Sequence, residues 1–332
     1  MKDAELDVTY KGVLRITMKK IIDYKQLLKN NGILIVFFLI CLALSFLSPY
    51  FFTVNNILNI IRQTSIYGII AVGMTFVILT GGIDLSVGSI LALSGAVAAG
   101  LMKNNAVAPL IAALAAILVG AIIGLINGLL VTIGKIAPFV VTLGMVTIAR
   151  GVTLIYTKGY PISGFSPEFR ELGGGYVLGI PVPVIVFVIM VALAWFVLNH
   201  TRLGRYTYAI GGNEETVKLS GINLNFYKSM VYVIVGVMSS VSALILTSRL
   251  NSAEAVAGQG YELDVIAAVV IGGTSLSGGR GSIIGTLIGA LLIGVINNGM
   301  NLLGISPYFQ QVVKGGLIIG AVILDRLRAE SN

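Results

Sequence analysis

A single cysteine, Cys41, and a single histidine, His200, among 332 residues exclude two classes of site at once. One thiol builds neither a disulfide framework nor a cysteine metal site, and one imidazole with no acidic or histidine neighbour at ligand spacing makes no metal centre. Cys41 lies in an apolar run and reads as a small buried residue, while His200 opens a basic loop and reads as solvated. Charge is scarce too: 11% of residues are charged against 56% hydrophobic, and mean hydropathy is +0.96. A soluble domain cannot hide that much apolar surface. No G-x-x-x-x-G-K-[ST] occurs, so energy from ATP has to arrive through a partner. No nucleophile, base and orienting group form a recognisable set, so this chain is expected to be non-catalytic and to bind no cofactor or metal itself. No nucleic-acid partner is expected either.

What is present is apolar length. Runs of Leu, Ile, Val, Ala and Gly cover residues 32–48, 66–80, 83–102, 107–133, 137–157, 179–198, 229–247, 263–273, 282–303 and 309–325. A helix needs about 20 apolar residues to cross roughly 30 Å of hydrocarbon, and continuous runs without apolar/polar alternation argue against a β-barrel. The expected fold class is an all-α polytopic membrane protein with about ten transmembrane segments, eight to ten in all. Lys2, Lys11, Arg15, Lys19, Lys20, Lys25 and Lys29 make residues 1–31 a basic cytoplasmic segment against lipid, with no cleavage site to remove the first helix. The 199–228 loop carries Arg202, Arg205, Lys218 and Lys228, whereas Lys158 and Arg170 of the 158–178 loop are offset by Glu168 and Glu171. The excess of Lys and Arg places 199–228 in the cytoplasm, and with it both termini, including a tail over 326–332. The membrane domain then occupies residues 32–325.

Two segments break the pattern. Residues 263–273 are too short to cross, and only Gly81 and Gly82 separate 66–80 from 83–102. Both read as broken or half-crossing helices, a backbone tolerated at membrane depth only where it packs in protein or lines a watery cavity. The chain also repeats itself: VILTGGIDLSVGS at 77–89 and AVVIGGTSLSGGRGS at 268–282 share G-G-x-x-L-S-x-G, each followed by Asn-Gly and a proline (Asn127, Gly128, Pro138; Asn298, Gly299, Pro307). Two related halves are the expectation for a transporter. The spacing from Gly-Gly to Asn-Gly is 46 residues in the first copy and 26 in the second, a difference of one membrane pass.

Asp84 sits inside the first copy of that frame. An aspartate at mid-bilayer costs on the order of 3 kcal/mol and usually faces a bundle interior or a watery path. It is a candidate for the solute pathway, the alternatives being a pair with Arg280 or Arg150 or a place at the cytoplasmic surface. The frame's glycines allow a turn at φ > 0, and Ser86 is placed to cap the half-helix that follows. Asn127, Asn297, Asn298, Gln310 and Gln311 are neutral amides in or beside apolar segments, able to donate and to accept. As a set they suit an uncharged, hydroxylated solute. In the 199–228 loop, Asn213 is positioned to cap a short helix from Glu214 to about Ser220, with Gly221 ending it, a form suited to docking on another protein.

GGIDLSVGS (81–89), TRLGRYTYAIGGNEE (201–215), SGIN (220–223), GYELDVIAAVVIGGTSLSGGRG (260–281) and NNGMNLLGISPY (297–308) together resemble the permease subunit of ribose-type ATP-binding cassette importers, from about Leu47 to Arg328. The resemblance implies a homodimeric permease in a bacterial cytoplasmic membrane. It implies two further partners, a cytoplasmic ATPase with two fused cassettes that carries ATP and magnesium, and a periplasmic or lipid-anchored sugar-binding protein. Gly212, Asn213, Glu214, Glu215, Lys218 and Gly221 inherit the ATPase-coupling role, and Glu254, Gln259, Tyr261 and Glu262 become contacts for the binding protein. Ribose is the preferred cargo. Set against this are a proton-coupled secondary transporter, disfavoured because no chain of Asp, Glu and His offers a proton route, and a permease for another sugar-like or amino acid substrate.

Overall fold

The computed structural model describes residues 32–330, so the basic segment expected over residues 1–31 lies outside the described residues. The chain begins with α1 (Gly32–Leu47), α2 (Val54–Leu79), α3 (Val87–Asn104), α4 (Pro109–Thr132) and α5 (Pro138–Thr157). After β1 (Ile162–Ser163) come α6 (Pro167–Gly174), β2 (Tyr176–Val177), β3 (Ile180–Pro181), α7 (Val182–His200), α8 (Arg202–Gly212), α9 (Glu214–Leu219) and α10 (Leu224–Leu250). The remainder is β4 (Ser252–Ala253), α11 (Tyr261–Ile271), α12 (Ile283–Leu302) and α13 (Pro307–Glu330). Every apolar run read from the sequence is a helix.

Among the described residues, seven helices, α2, α3, α4, α5, α7, α10 and α12, are long and apolar enough to cross a membrane, seven of the expected eight to ten segments. The described part of α1 is shorter, and α11 spans 11 residues, about 16 Å, half of what hydrocarbon demands. The break at Gly81 is real, but α2 starts at Val54, twelve residues before the apolar run at 66. Its first turns carry Asn55, Asn56, Asn59, Arg62 and Gln63, which read as loop by hydropathy; Thr53 caps them, accepting from the Asn56 amide at 3.4 Å.

Hydrogen bonds sort the connections into two ends. At one, Phe165 N–H donates to Asn251 Oδ1 (3.0 Å), Lys103 Nζ to the Gly164 carbonyl (3.3 Å), and β1 pairs antiparallel with β4; this is the α6 end. At the other, the α8 end, Gly279 N–H donates to the Leu79 carbonyl (2.9 Å) and Thr142 Oγ1 to the Ile83 carbonyl (3.3 Å).

The core is built on α2 and α10, buried over most of their length, with α3, α11 and α12 around them. α4, α5 and α7 bury only a minority of their residues, as helices against lipid do. Helices approach through small residues: a Cβ at Gly124 of α4 would stand 2.2 Å from the Tyr232 carbonyl oxygen of α10, and one at Gly120 2.0 Å from Ser240 Oγ. Buried hydroxyl pairs fasten the same core, Ser94 with Ser240 at 2.8 Å and Thr75 with Thr286 at 2.7 Å.

Candidate functional site

The two copies of the repeated frame end their helices in the same way. In the first, Gly81 N–H bonds to the Ile78 carbonyl and Gly82 N–H to the Val77 carbonyl; in the second, Gly273 N–H bonds to Val270 and Thr274 N–H to Val269. Each is a left-handed helix stop, with φ of +75° at Gly81 and +89° at Gly273. The structural equivalent of Gly81 is therefore Gly273, one residue later than the written frame aligns them. The unequal spacing is also explained: α3 and part of α4 lie between Gly81 and Asn127, whereas only part of α12 lies between Gly272 and Asn298.

Asp84 follows the first stop and is fully buried. Its Oδ1 accepts the Ser86 amide (2.8 Å) and the Ser86 hydroxyl (2.5 Å), and its Oδ2 accepts Asn127 Nδ2 at 3.4 Å. Asn127 Nδ2 also donates to Ser86 Oγ at 2.9 Å. Ser86 stands at the N-cap position of α3, but its hydroxyl is turned to Asp84 and makes no cap bond. Asp84 pairs with neither Arg280 nor Arg150: Arg280 is exposed, and Arg150 donates to the Ala255 and Ala257 carbonyls. Two buried polar atoms nearby, the acceptor Asn127 Oδ1 and the hydroxyl Tyr232 OH, have no hydrogen-bond partner among the described residues; a Cβ at Gly82 would touch that phenol at 2.6 Å. The cluster is a desolvated carboxylate held by neutral donors, with polar capacity unused.

The second half holds an acid that the sequence reading passed over. Asp264 of α11 is buried and takes Lys314 Nζ of α13 at 2.8 Å, with the Asn297 amide beside it. Tyr67 and Tyr261 stack edge-on nearby, 6.4 Å between ring centres. A sequence signal existed in Y-E-L-D at the head of a short apolar segment, but the partner lies 50 residues away. Arg62 is a second omission, its guanidinium over the Tyr176 ring and bonded to the phenol, with Nε buried and without a partner among the described residues.

Of the expected pathway residues, then, Asp84, Ser86 and Asn127 form one cluster. Asn298 instead pairs reciprocally with Asn56 of α2 (2.8 and 3.0 Å), Asn297 attends Asp264, Gln310 closes the turn at Asn301 and Ile305, and Gln311 is exposed. Among the expected binding-protein contacts, Glu254 and Gln259 are exposed at the α6 end, while Tyr261 lies against Tyr67 and Glu262 against Gly88 of α3.

At the other end α8 and α9 lie outside the long helices. Asn213 Oδ1 accepts the Thr216 amide (2.9 Å) and caps α9; Glu214 pairs with Lys228 (2.9 Å), and Gly221 turns the chain at φ +76°. Glu214, Glu215 and Lys218 line a cleft of about 1010 Å³ with the α4–α5 connection, and Leu219 is 84% exposed. Gly212 has open space around it. Burial raises the Tyr208 phenol above its ordinary range, so it stays a neutral donor to the Gly281 carbonyl at 2.8 Å.

Residues 56–322 match the family described as branched-chain amino acid transport system / permease component. The chain is 53% identical to the ribose import permease protein RbsC of Bacillus subtilis over 94% of this chain and 98% of that one. It is 51% identical to RbsC of Escherichia coli K12 (91% and 95%) and 44% identical to the D-allose transport system permease protein AlsC of the same organism (93% and 95%). No solved structure matches significantly.

Proposed function

The chain belongs to the family of branched-chain amino acid transport system permease components, and from that membership we propose that it is the membrane-spanning permease of an ATP-binding cassette importer whose cargo is ribose. The observation that carries the cargo is identity above 50% to two ribose permeases over nearly the whole of both chains. A hydroxylated sugar agrees with the site as well: Asp84 is met by the neutral donors Ser86 and Asn127, and the spare groups are an amide acceptor, Asn127 Oδ1, and a phenol able to donate or accept, Tyr232 OH.

The permease catalyses no reaction of its own. ATP is hydrolysed on a cytoplasmic ATPase that docks against α8 and α9, and solute is delivered at the α6 end by a sugar-binding protein. Positive-inside bias supports this orientation in a bacterial cytoplasmic membrane: Lys135, Arg202, Arg205, Lys218, Lys228, Arg280 and Arg326 lie at the α8 end, against exposed Lys103, Lys158 and Arg170 at the other, where Arg62, Arg150 and Arg249 are half-buried against the protein. Both termini then face the cytosol. Half-exposed polar side chains on α2, α12 and α13 (Asn59, Arg62, Gln63, Asn297, Lys314) are poor neighbours for lipid and give a second copy of the chain a surface to cover.

The test is reconstitution of the permease in vesicles with its ATPase and sugar-binding protein. Labelled ribose should accumulate only with ATP present and all three proteins together. Ribose flux through the permease alone, or accumulation driven by a proton gradient without ATP, would overturn the reading.

A further inference from the structure

The C-terminus of α8 is in backbone contact with both interrupted segments of the membrane domain. A Cβ at Gly211 would stand 1.8 Å from the Leu79 carbonyl oxygen and 2.3 Å from the Gly279 amide nitrogen. Leu79 is the last residue of α2 and leads straight into the Asp84 break; Gly279 belongs to the 272–282 connection between α11 and α12. The two breaks are also bonded to each other, Gly279 N–H to the Leu79 carbonyl at 2.9 Å. Gly278 completes the junction: a Cβ there would meet Leu79 O at 2.9 Å, and Gly211 Cα and Gly81 N at 3.0 Å. Gly278 and Gly279 hold φ of +84° and +73°, a path open to glycine at little cost. One turn earlier on α8, Tyr208 OH bonds to the Gly281 carbonyl at 2.8 Å.

We infer that Gly211 is a positioning residue through which a displacement of α8 and α9 reaches both membrane breaks at once, by backbone contact rather than through side chains. Three chain segments meet where no side chain fits between them, and close-packed backbone transmits a push without slack. α8 runs into α9 through the single residue Asn213, so whatever moves α9 moves Gly211. From there Leu79 carries the displacement to the break holding Asp84, and Gly279 carries it to the stop of α11 and the start of α12. The pseudo-equivalent halves are thereby driven together. The inference rests on the reading of α8 and α9 as the ATPase dock.

The whole transport complex in vesicles tests it. In the wild type, hydrogen exchange should change on ATP addition in peptides covering 76–84 and 272–282 together. Gly211→Ala should still capture the ATPase within about twofold, yet lose on the order of tenfold or more of binding-protein-stimulated hydrolysis and of ribose uptake, because the methyl group forces the three backbones apart. Its two peptides should no longer respond together. Tyr208→Phe removes one hydrogen bond and should cost roughly three- to tenfold in stimulation. Full stimulation in inserted Gly211→Ala, or a wild-type response confined to one of the two peptides, would overturn the junction. If Gly211→Ala does not insert, the wild-type exchange and Tyr208→Phe decide. Failure of the wild-type permease to capture the ATPase sinks the docking reading instead.

Discussion

A buried carboxylate is most readily kept by a cation, and the two buried acids among the described residues differ in having one. Asp264 has Lys314; Asp84 has only the Ser86 amide, the Ser86 hydroxyl and the Asn127 amide. Removing Lys314 leaves the buried Asp264 carboxylate without its cation, with the Asn297 amide alone beside it among the described residues, a defect of about 3 kcal/mol or more. Lys314→Gln should therefore lower the unfolding temperature of the solubilised protein by several degrees, and the exchange Asp264→Lys with Lys314→Asp should recover part of the loss. No recovery would mean the pair is not what holds α13 to α11. At Asp84 the charge can be removed with little structural cost. Asn127 Oδ1 is unpartnered, so the Asn127 amide can turn over and accept from the new side chain. Asp84→Asn should insert and capture the ATPase normally while ribose uptake falls by about tenfold or more; unchanged uptake kinetics would take Asp84 out of the pathway.

At the scale of elements, close crossings set what the helices tolerate. α4 meets α10 through Gly120, Gly124 and Gly128, and a side chain at Gly124 runs into the backbone of Tyr232. Gly124→Leu should destabilise by about 1–3 kcal/mol, read as a lowered unfolding temperature, whereas Gly144→Leu on the open face of α5, where an added Cβ meets nothing within 4 Å, should leave it unchanged. Equal effects would mean that the crossing is not packed as described. Apolar runs were legible as helices because hydropathy records burial in lipid or core, and the cap at Asn213 was legible because its signal spans three residues. The start of α2 was not, since Asn55, Asn56, Asn59, Arg62 and Gln63 are polar for tertiary reasons: Asn56 answers Asn298 and Arg62 answers Tyr176, both remote in sequence. The Asp264–Lys314 pair escaped for the same reason. Ser86 was legible by position and misjudged in function, because its hydroxyl donates to Asp84 and accepts from the Asn127 amide instead of from a helix amide.

For the whole molecule the open quantity is which end faces the cytosol, and the near-absence of cysteine makes it measurable. Cys41 is the chain's one thiol, so Cys41→Ser gives a background free of reactive sulfur. Leu178, 98% exposed between β2 and β3, marks the α6 end; Leu219, 84% exposed on α9, marks the α8 end. Cations crowd the second end, and moving them across hydrocarbon during insertion is costly, so that end is expected to stay inside. In intact cells a membrane-impermeant maleimide should label Leu178→Cys and spare Leu219→Cys until the membrane is opened. The reverse pattern would place α8 and α9 outside, where no ATP is held, and the import mechanism would fall with the orientation. Labelling of both positions in intact cells would mean two insertion orders coexist, which a single asymmetric motor docked at α9 cannot serve.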